Sequence, residues 1–132
     1  MVELLCIEPG KVDEFWPHVS HFIFEAMERG GGDYSSVEES VKSGPALLWI
    51  AWDGDKILSA AVTSLHKING KRICTIVACG GDEWTRFGHL IEGLEKYAKD
   101  EGCAAVRING RSGWQRVLSG YRTRQVVIEK AL

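Results

Sequence analysis

The sequence predicts an α/β protein of the α+β kind, with a mixed central sheet of about six to seven strands and helices on both faces. Three observations carry this. Strand-like and helix-like runs follow one another in the order β-α-α-β-β-β-α-β-α-β along the 132 residues. Two turn signals, Asp53-Gly54 and Asn69-Gly70, separate neighbouring strand-like runs, which makes hairpins of them. A helical stretch then lies between the run Lys71–Cys79 and the run Cys103–Asn109. A crossover of that length makes the two strands parallel, and they are expected to splay at one end. The length suits one domain, residues 1–132.

Taken in order, Val2 to Ile7 is a short apolar strand stopped by Glu8-Pro9-Gly10. Val12, Phe15, Trp16, Val19, Phe22, Ile23, Ala26 and Met27 then recur at three-to-four spacing, which marks one buried face of a helix. Pro17 suits a first helical turn, so regular helix is expected from near Trp16. Gly30-Gly31-Gly32 ends it. Asp33 to Ser36 reads as a loop with a cap, and Val37 to Lys42 as a short second helix closed by Ser43-Gly44-Pro45. Ala46–Trp52 is apolar throughout, as a central strand is. Lys56–His66 returns, and Lys71–Cys79 follows the second turn. A long helix from about Asp82 to Asp100 puts Phe87, Leu90, Ile91, Leu94 and Ala98 on its inner face, with Gly102 as its stop. Cys103 to Asn109 is strand again, Gly110 to Leu118 a short helical turn, and Gln125 to Lys130 a last strand.

At 45% apolar and 26% charged the composition is that of an ordinary globular protein. No apolar run approaches the roughly 18 residues of a membrane span. The N-terminus lacks the basic flank and apolar stretch of a secretory signal. Cys6, Cys74, Cys79 and Cys103 are widely spaced in apolar runs and read as reduced core thiols of a cytoplasmic protein. No paired Cys/His spacing supports a metal; His18 and His21 lie three apart on a helix without an evident carboxylate partner.

The net charge of −2 conceals an asymmetry. Residues 1–66 hold four basic and eleven acidic side chains; residues 67–132 hold twelve basic and seven acidic. Five Arg and no acid lie between Arg107 and Arg124. Such an edge attracts a phosphate-bearing ligand or an acidic protein surface, or pairs with the acidic first half. Nucleic acid is disfavoured because no aromatic-basic platform accompanies it.

The C-terminal stretch is the most particular. Val106-Arg107-Ile108-Asn109, then Ser112-Gly113-Trp114-Gln115-Arg116-Val117-Leu118, then Gly120-Tyr121-Arg122, resembles the end of the GNAT superfamily of N-acetyltransferases. There an Asn closes the fifth strand, a short helix carries a catalytic Tyr, and a Gly-Phe pair opens the next strand. Asn109 and Gly120-Tyr121 match; the Tyr position is Arg116, a poor general acid. The resemblance, which covers nearly the whole chain, implies acetyl transfer from acetyl-CoA to an amine. It implies that the splayed strand around Val77 and Cys79 binds the CoA arm. It also places Thr85, Arg86 and Phe87 in the pyrophosphate loop, and Asn109 and Arg116 beside the cleft. In this chain Asp82 and Glu83 occupy that loop where the family has Arg or Gln and glycine, so the loop is degenerate. The carboxylates are expected to cap the long helix and weaken CoA binding.

A general base has two candidates on or near the central strands, His66 and Glu83, and for His66 a solvated rim position is the other reading. Tyr34, beside Gly30 to Gly32, falls in the family's acceptor loop, as a substrate lid or a plain connector. The Arg111-to-Lys130 pattern further resembles small GNAT-like proteins of tailed bacteriophages and prophages. That implies a phage structural protein as a partner beside the small-molecule or protein amine acceptor. The alternative to an enzyme is a non-catalytic module of this fold that binds through its Arg-rich edge.

Overall fold

The computed structural model describes residues 2–30, 32–81, 89–109, 120–126 and 128–132, and at 29, 30 and 89 the backbone alone. Strands β1 (Glu3–Ile7), β2 (Ala46–Trp52), β3 (Ile57–Ile68), β4 (Lys71–Gly81) and β5 (Ala105–Ile108) form one sheet in the order β1-β2-β3-β4-β5. The first three pairings are antiparallel and β4–β5 is parallel, so the sheet is mixed as expected. Helices α1 (Val12–Gly30) and α2 (Tyr34–Ser43) cover one face, and α3 (His89–Asp100) the other.

The layers follow from side-chain alternation. Val12, Trp16, Val19, Phe22, Ile23 and Met27 of α1 meet Leu48, Ile50, Ala60 and Val62 of the strands. On the opposite face Leu90, Ile91 and Leu94 of α3 meet Trp49, Ala61, Ile76 and Cys79. Each fully buried Leu or Ile contributes about 1.5–3 kcal/mol, so two such layers hold a sheet of this size. A buried polar pair sits in the second layer: Trp49 Nε1 donates to Thr63 Oγ1 at 2.9 Å, and the Trp49 ring stands edge-on to Tyr97 at 4.9 Å.

Several expectations are corrected. Among the described residues the sheet has five strands, not six or seven. The segment expected as a last strand carries none at 125, 126 and 128–130, and Val126 and Ile128 are 75% and 91% exposed. β-Branched residues favour a strand only where a neighbour and a packed face receive them. Helix α1 starts at Val12, not near Trp16. Burial of Val12 and Trp16 fixes the first turn, after a 3₁₀ turn at Pro9–Lys11, and outweighs the hydrogen bond that Pro17 cannot make. Helix α2 begins three residues early, because Asp33 caps it directly. The Asp53-Gly54 hairpin forms as expected, through a four-residue connection, Asp53 to Lys56, in which Asp53 Oδ1 accepts from the amides of Asp55 and Lys56. Cys6 is exposed on the edge strand; all four thiols are free. Among the described residues no helix is long and apolar enough to cross a membrane.

Candidate functional site

The β4–β5 ladder ends early. Its last registered pair is Ile76 with Ile108, and Asn109 N donates to Ile76 O at 3.2 Å. Strand β4 runs on to Gly81, still paired with β3 on its other side as far as Ser59. From Val77 to Gly81 the edge that faces β5 therefore has no strand neighbour among the described residues. This is the expected splay, and it leaves backbone amides and carbonyls open to a ligand that can add as a strand does.

A bulge shapes the fork. Val62 of β3 pairs with Ala78 and Thr63 with Ile76, which leaves Val77 as the extra residue. Two consecutive residues, Val77 and Ala78, therefore both pack toward the α1–α2 layer, while Ile76 and Cys79 pack toward α3. At the fork a cavity of about 260 Å³ opens between Met27 of α1, Gly32, Asp33 and Val37 at the start of α2, Val77 of β4, and Asn109 just past β5.

Asp33 has two tasks here. Its Oδ1 accepts from Ser35 N at 3.1 Å and Ser36 N at 3.5 Å, which caps α2, and its residue forms part of the cavity wall. Tyr34, the next residue, is anchored: its hydroxyl accepts from Trp16 Nε1 at 3.2 Å and its ring meets Phe24 edge-on at 5.3 Å. It ties α2 to α1, while its neighbours Gly32, Asp33 and Ser36 line the cavity.

Two of the expected residues, Val77 and Asn109, are thus brought together. Cys79 contributes its backbone to the open edge, but its thiol lies on the α3 face, where burial pushes it up to about 12. His66 is exposed on β3 and its Nε2 lies 2.5 Å from Thr75 Oγ1. Tyr121 packs on the α3 layer and donates to Glu95 Oε2 at 2.6 Å; burial, then that hydrogen bond, raises its hydroxyl well above the usual phenol range. Glu83, Thr85, Arg86, Phe87 and Arg116 lie outside the described residues. Ser59, which pairs with Gly81 at the end of β4, has a fully buried hydroxyl without a hydrogen-bond partner among the described residues. Sequence reasoning did not find Met27, Asp33 or Val37 as cavity residues. The signal available was the Asp-x-Ser-Ser cap, which fixes where α2 begins and hence what faces the fork.

No protein-family model matches the chain, and no curated protein does. Solved structures do match along its whole length. One is an aminoglycoside acetyltransferase from an uncultured soil metagenomic sample, in complex with sisomicin. The TM-score is 0.71 at 15% identity, over 99% of this chain and 95% of that one. A ribosomal-protein-alanine N-acetyltransferase from Brucella melitensis biovar Abortus matches with TM-score 0.68 at 14% identity, over 99% and 100% of the two chains. A GNAT family acetyltransferase from Staphylococcus aureus matches with TM-score 0.68 at 12% identity, over 99% and 98%. Agreement of this extent at such low identity is agreement of architecture: the mixed sheet, its parallel fork and its helices on both faces are the fold of the GNAT acetyltransferases.

Proposed function

We propose that the protein is an N-acyltransferase that moves an acetyl group from acetyl-CoA to the amine of a small molecule or a peptide. The observation that carries this is the fork at Val77: an open strand edge beside a bulge, with a cavity at its mouth. The unpaired groups of Val77 to Gly81 suit the two amides of the CoA arm. When bound, acetyl-CoA supplies an acyl thioester. The chain's part is to hold that arm along β4 and to present the cavity to the acceptor. A cavity of about 260 Å³ fits an acetyl group and a small amine. Asp33 in its wall favours a cationic acceptor. Two of the fold neighbours act on amines by name, an aminoglycoside and a ribosomal-protein alanine. Four free thiols suit a reducing cytoplasm.

The test is calorimetric and thermal-shift titration with acetyl-CoA. Occupancy at about 100 times the dissociation constant should stabilise the fold by about 2.7 kcal/mol. Val77→Trp, which fills the fork, should weaken binding at least about tenfold, or 1.4 kcal/mol. Absence of stabilisation at millimolar acetyl-CoA overturns the reading.

One observation favours a second reading. Arg122 and Arg124 are exposed next to the exposed Val126 and Ile128, a basic and apolar strip suited to an acidic protein surface, such as an assembly component of a tailed phage. That reading gains if acetyl-CoA has no effect while Arg122→Ala with Arg124→Ala removes a salt-sensitive protein contact.

A further inference from the structure

The cavity at the fork has two walls of different chemistry. The sheet wall is Val77 of β4 with Asn109 just past β5, where the strand edge opens. The helical wall has the buried Met27 and Val37, with the exposed Gly32 and Asp33 at the rim. Met27 and Gly32 fit one another. Gly32 N donates to Met27 O at 3.1 Å, which folds the chain back on the last turn of α1. A Cβ added to Gly32 would overlap the Met27 methyl and stand 3.3 Å from its sulfur. The Met27 side chain thus lies in the space that Gly32 leaves. The Gly32 backbone is outside the left-handed region, so a larger residue there would disturb the methyl and not the chain. Methionine is unbranched and adaptable, and this one has the cavity to move into.

Asp33 offers charge beyond its capping task. Its Oδ1 accepts from both amides of α2, and among the described residues no Lys or Arg is paired with it. A helix N-terminus bears about half a positive charge, so a full carboxylate charge leaves that corner net negative. Such a charge is badly placed to serve the reacting nitrogen. An opposite charge nearby holds an amine in its protonated form, which has no lone pair for a carbonyl. It suits a second ammonium on the same molecule. Two ammonium groups on one short stem also repel, which lowers the pKa of the one at the strand edge and frees its lone pair.

We propose that the cavity selects a primary amine that bears a second cation on a short apolar stem, an α,ω-diamine, and that Asp33 and Met27 determine this specificity; this rests on the acyl-transfer reading above. Asp33 holds the remote ammonium at the rim. Met27 and Val37 flank the stem, and the Met27 methyl, seated on Gly32, sets its length. The nitrogen at the fork gives one proton to solvent and forms the C–N bond at the thioester carbonyl. The C–S bond breaks, and the thiolate leaves with the proton shed by the new amide nitrogen. One diammonium and one thioester become one monoacetylated ammonium, one thiol and one solvated proton.

The experiment uses the full chain, acetyl-CoA, and amines of equal carbon number, butylamine against 1,4-diaminobutane, at one ionic strength. Calorimetry gives acetyl-CoA affinity and thiol release gives kcat/KM. The diamine should be favoured about tenfold or more, well beyond the factor of about two that a second reactive end supplies. Asp33→Asn keeps the cap of α2 and should bring the two amines within about threefold, with the loss in KM rather than kcat. Across diamines of increasing length, Gly32→Ala should move the optimum to a shorter stem, because the displaced Met27 methyl takes up cavity space. If the native chain favours the diamine by no more than about twofold, or the preference survives Asp33→Asn, the assignment is wrong and acyl transfer stands. An optimum that stays in place in Gly32→Ala overturns the part given to Met27. Binding of acetyl-CoA without turnover of either amine overturns the assignment alone. Failure of the native chain to bind acetyl-CoA overturns both.

Discussion

Gly80 marks where helix and sheet come closest. A Cβ built there would stand 2.5 Å from the carbonyl oxygen of Phe22 and 3.2 Å from its carbonyl carbon, both backbone atoms of α1. A flexible side chain could move aside; a helical carbonyl cannot without shifting the helix. Hydrogen at this position therefore lets α1 lie flat on β4, one strand pleat from the bulge at Val77. Gly80→Ala should cost about 1–3 kcal/mol by overpacking, read as a lower midpoint in urea. Cavity shape should change with it, so acetyl-CoA affinity should fall as well. A variant of native stability would mean that α1 is not held this closely.

Helix α2 shows a single element serving both stability and the site. Its ten residues are too few to persist alone. They are held by Asp33 at one end, by Gly44 at φ 106° at the other, and by Val37 and Val41 against the sheet. Asp33→Ala should cost about 1 kcal/mol, while Asp33→Asn should retain most of it, because an amide oxygen still caps. Acetylation of a cationic amine should fall in both variants if the carboxylate also attracts the acceptor. Equal stability of Asp33→Ala and the native chain would show that burial of Val37 and Val41 alone sets the helix. Much at this scale was legible. Apolar spacing in α1, the Asn69-Gly70 turn with φ values of 52° and 79°, and the parallel crossover all follow from local rules. Three features were not. The bulge at Val77 depends on how two strands slip past each other, and nothing in the run Ile73 to Cys79 marks it. The early start of α2 turned on a cap whose carboxylate reads equally well as part of a loop. The tail at Gln125 to Lys130 has strand composition, but composition does not supply a neighbour. Of the site, Val77 and Asn109 were legible through the resemblance, whereas the hydrogen bond between His66 and Thr75 arises from register across a hairpin.

Across the whole molecule the two layers differ in their dependence on pH. The α3 face holds two buried thiols, Cys74 and Cys79, and the partly exposed phenols of Tyr97 and Tyr121. Burial, then the nearby Cys103, pushes Cys74 up to about 11; burial pushes Cys79 up to about 12, and burial followed by Glu101 pushes Tyr97 to about 12. Each group has a higher pKa folded than unfolded, so the folded chain keeps protons that the unfolded chain gives up. Stability is then full below the unfolded values, near 9 for the thiols and 10 for the phenol, and is lost as pH rises through the folded values. The α1–α2 layer has no thiol in its core and its Tyr34 is partly exposed. Denaturation by urea should thus give a flat midpoint from pH 7 to 9 and a falling one above, with the fall beginning at the thiols. Cys79→Ala should cost about 1 kcal/mol at pH 7 from lost packing. It should also remove roughly a third of the decline between pH 9 and 11, because one of the two buried thiols no longer titrates while the phenols of Tyr97 and Tyr121 still do. Near-ultraviolet signals of Trp49, which meets Tyr97 edge-on, should be lost before far-ultraviolet helix signal, since the α3 face loosens first. An unchanged slope in Cys79→Ala, with native structure at pH 7, would place the alkaline transition elsewhere in the fold.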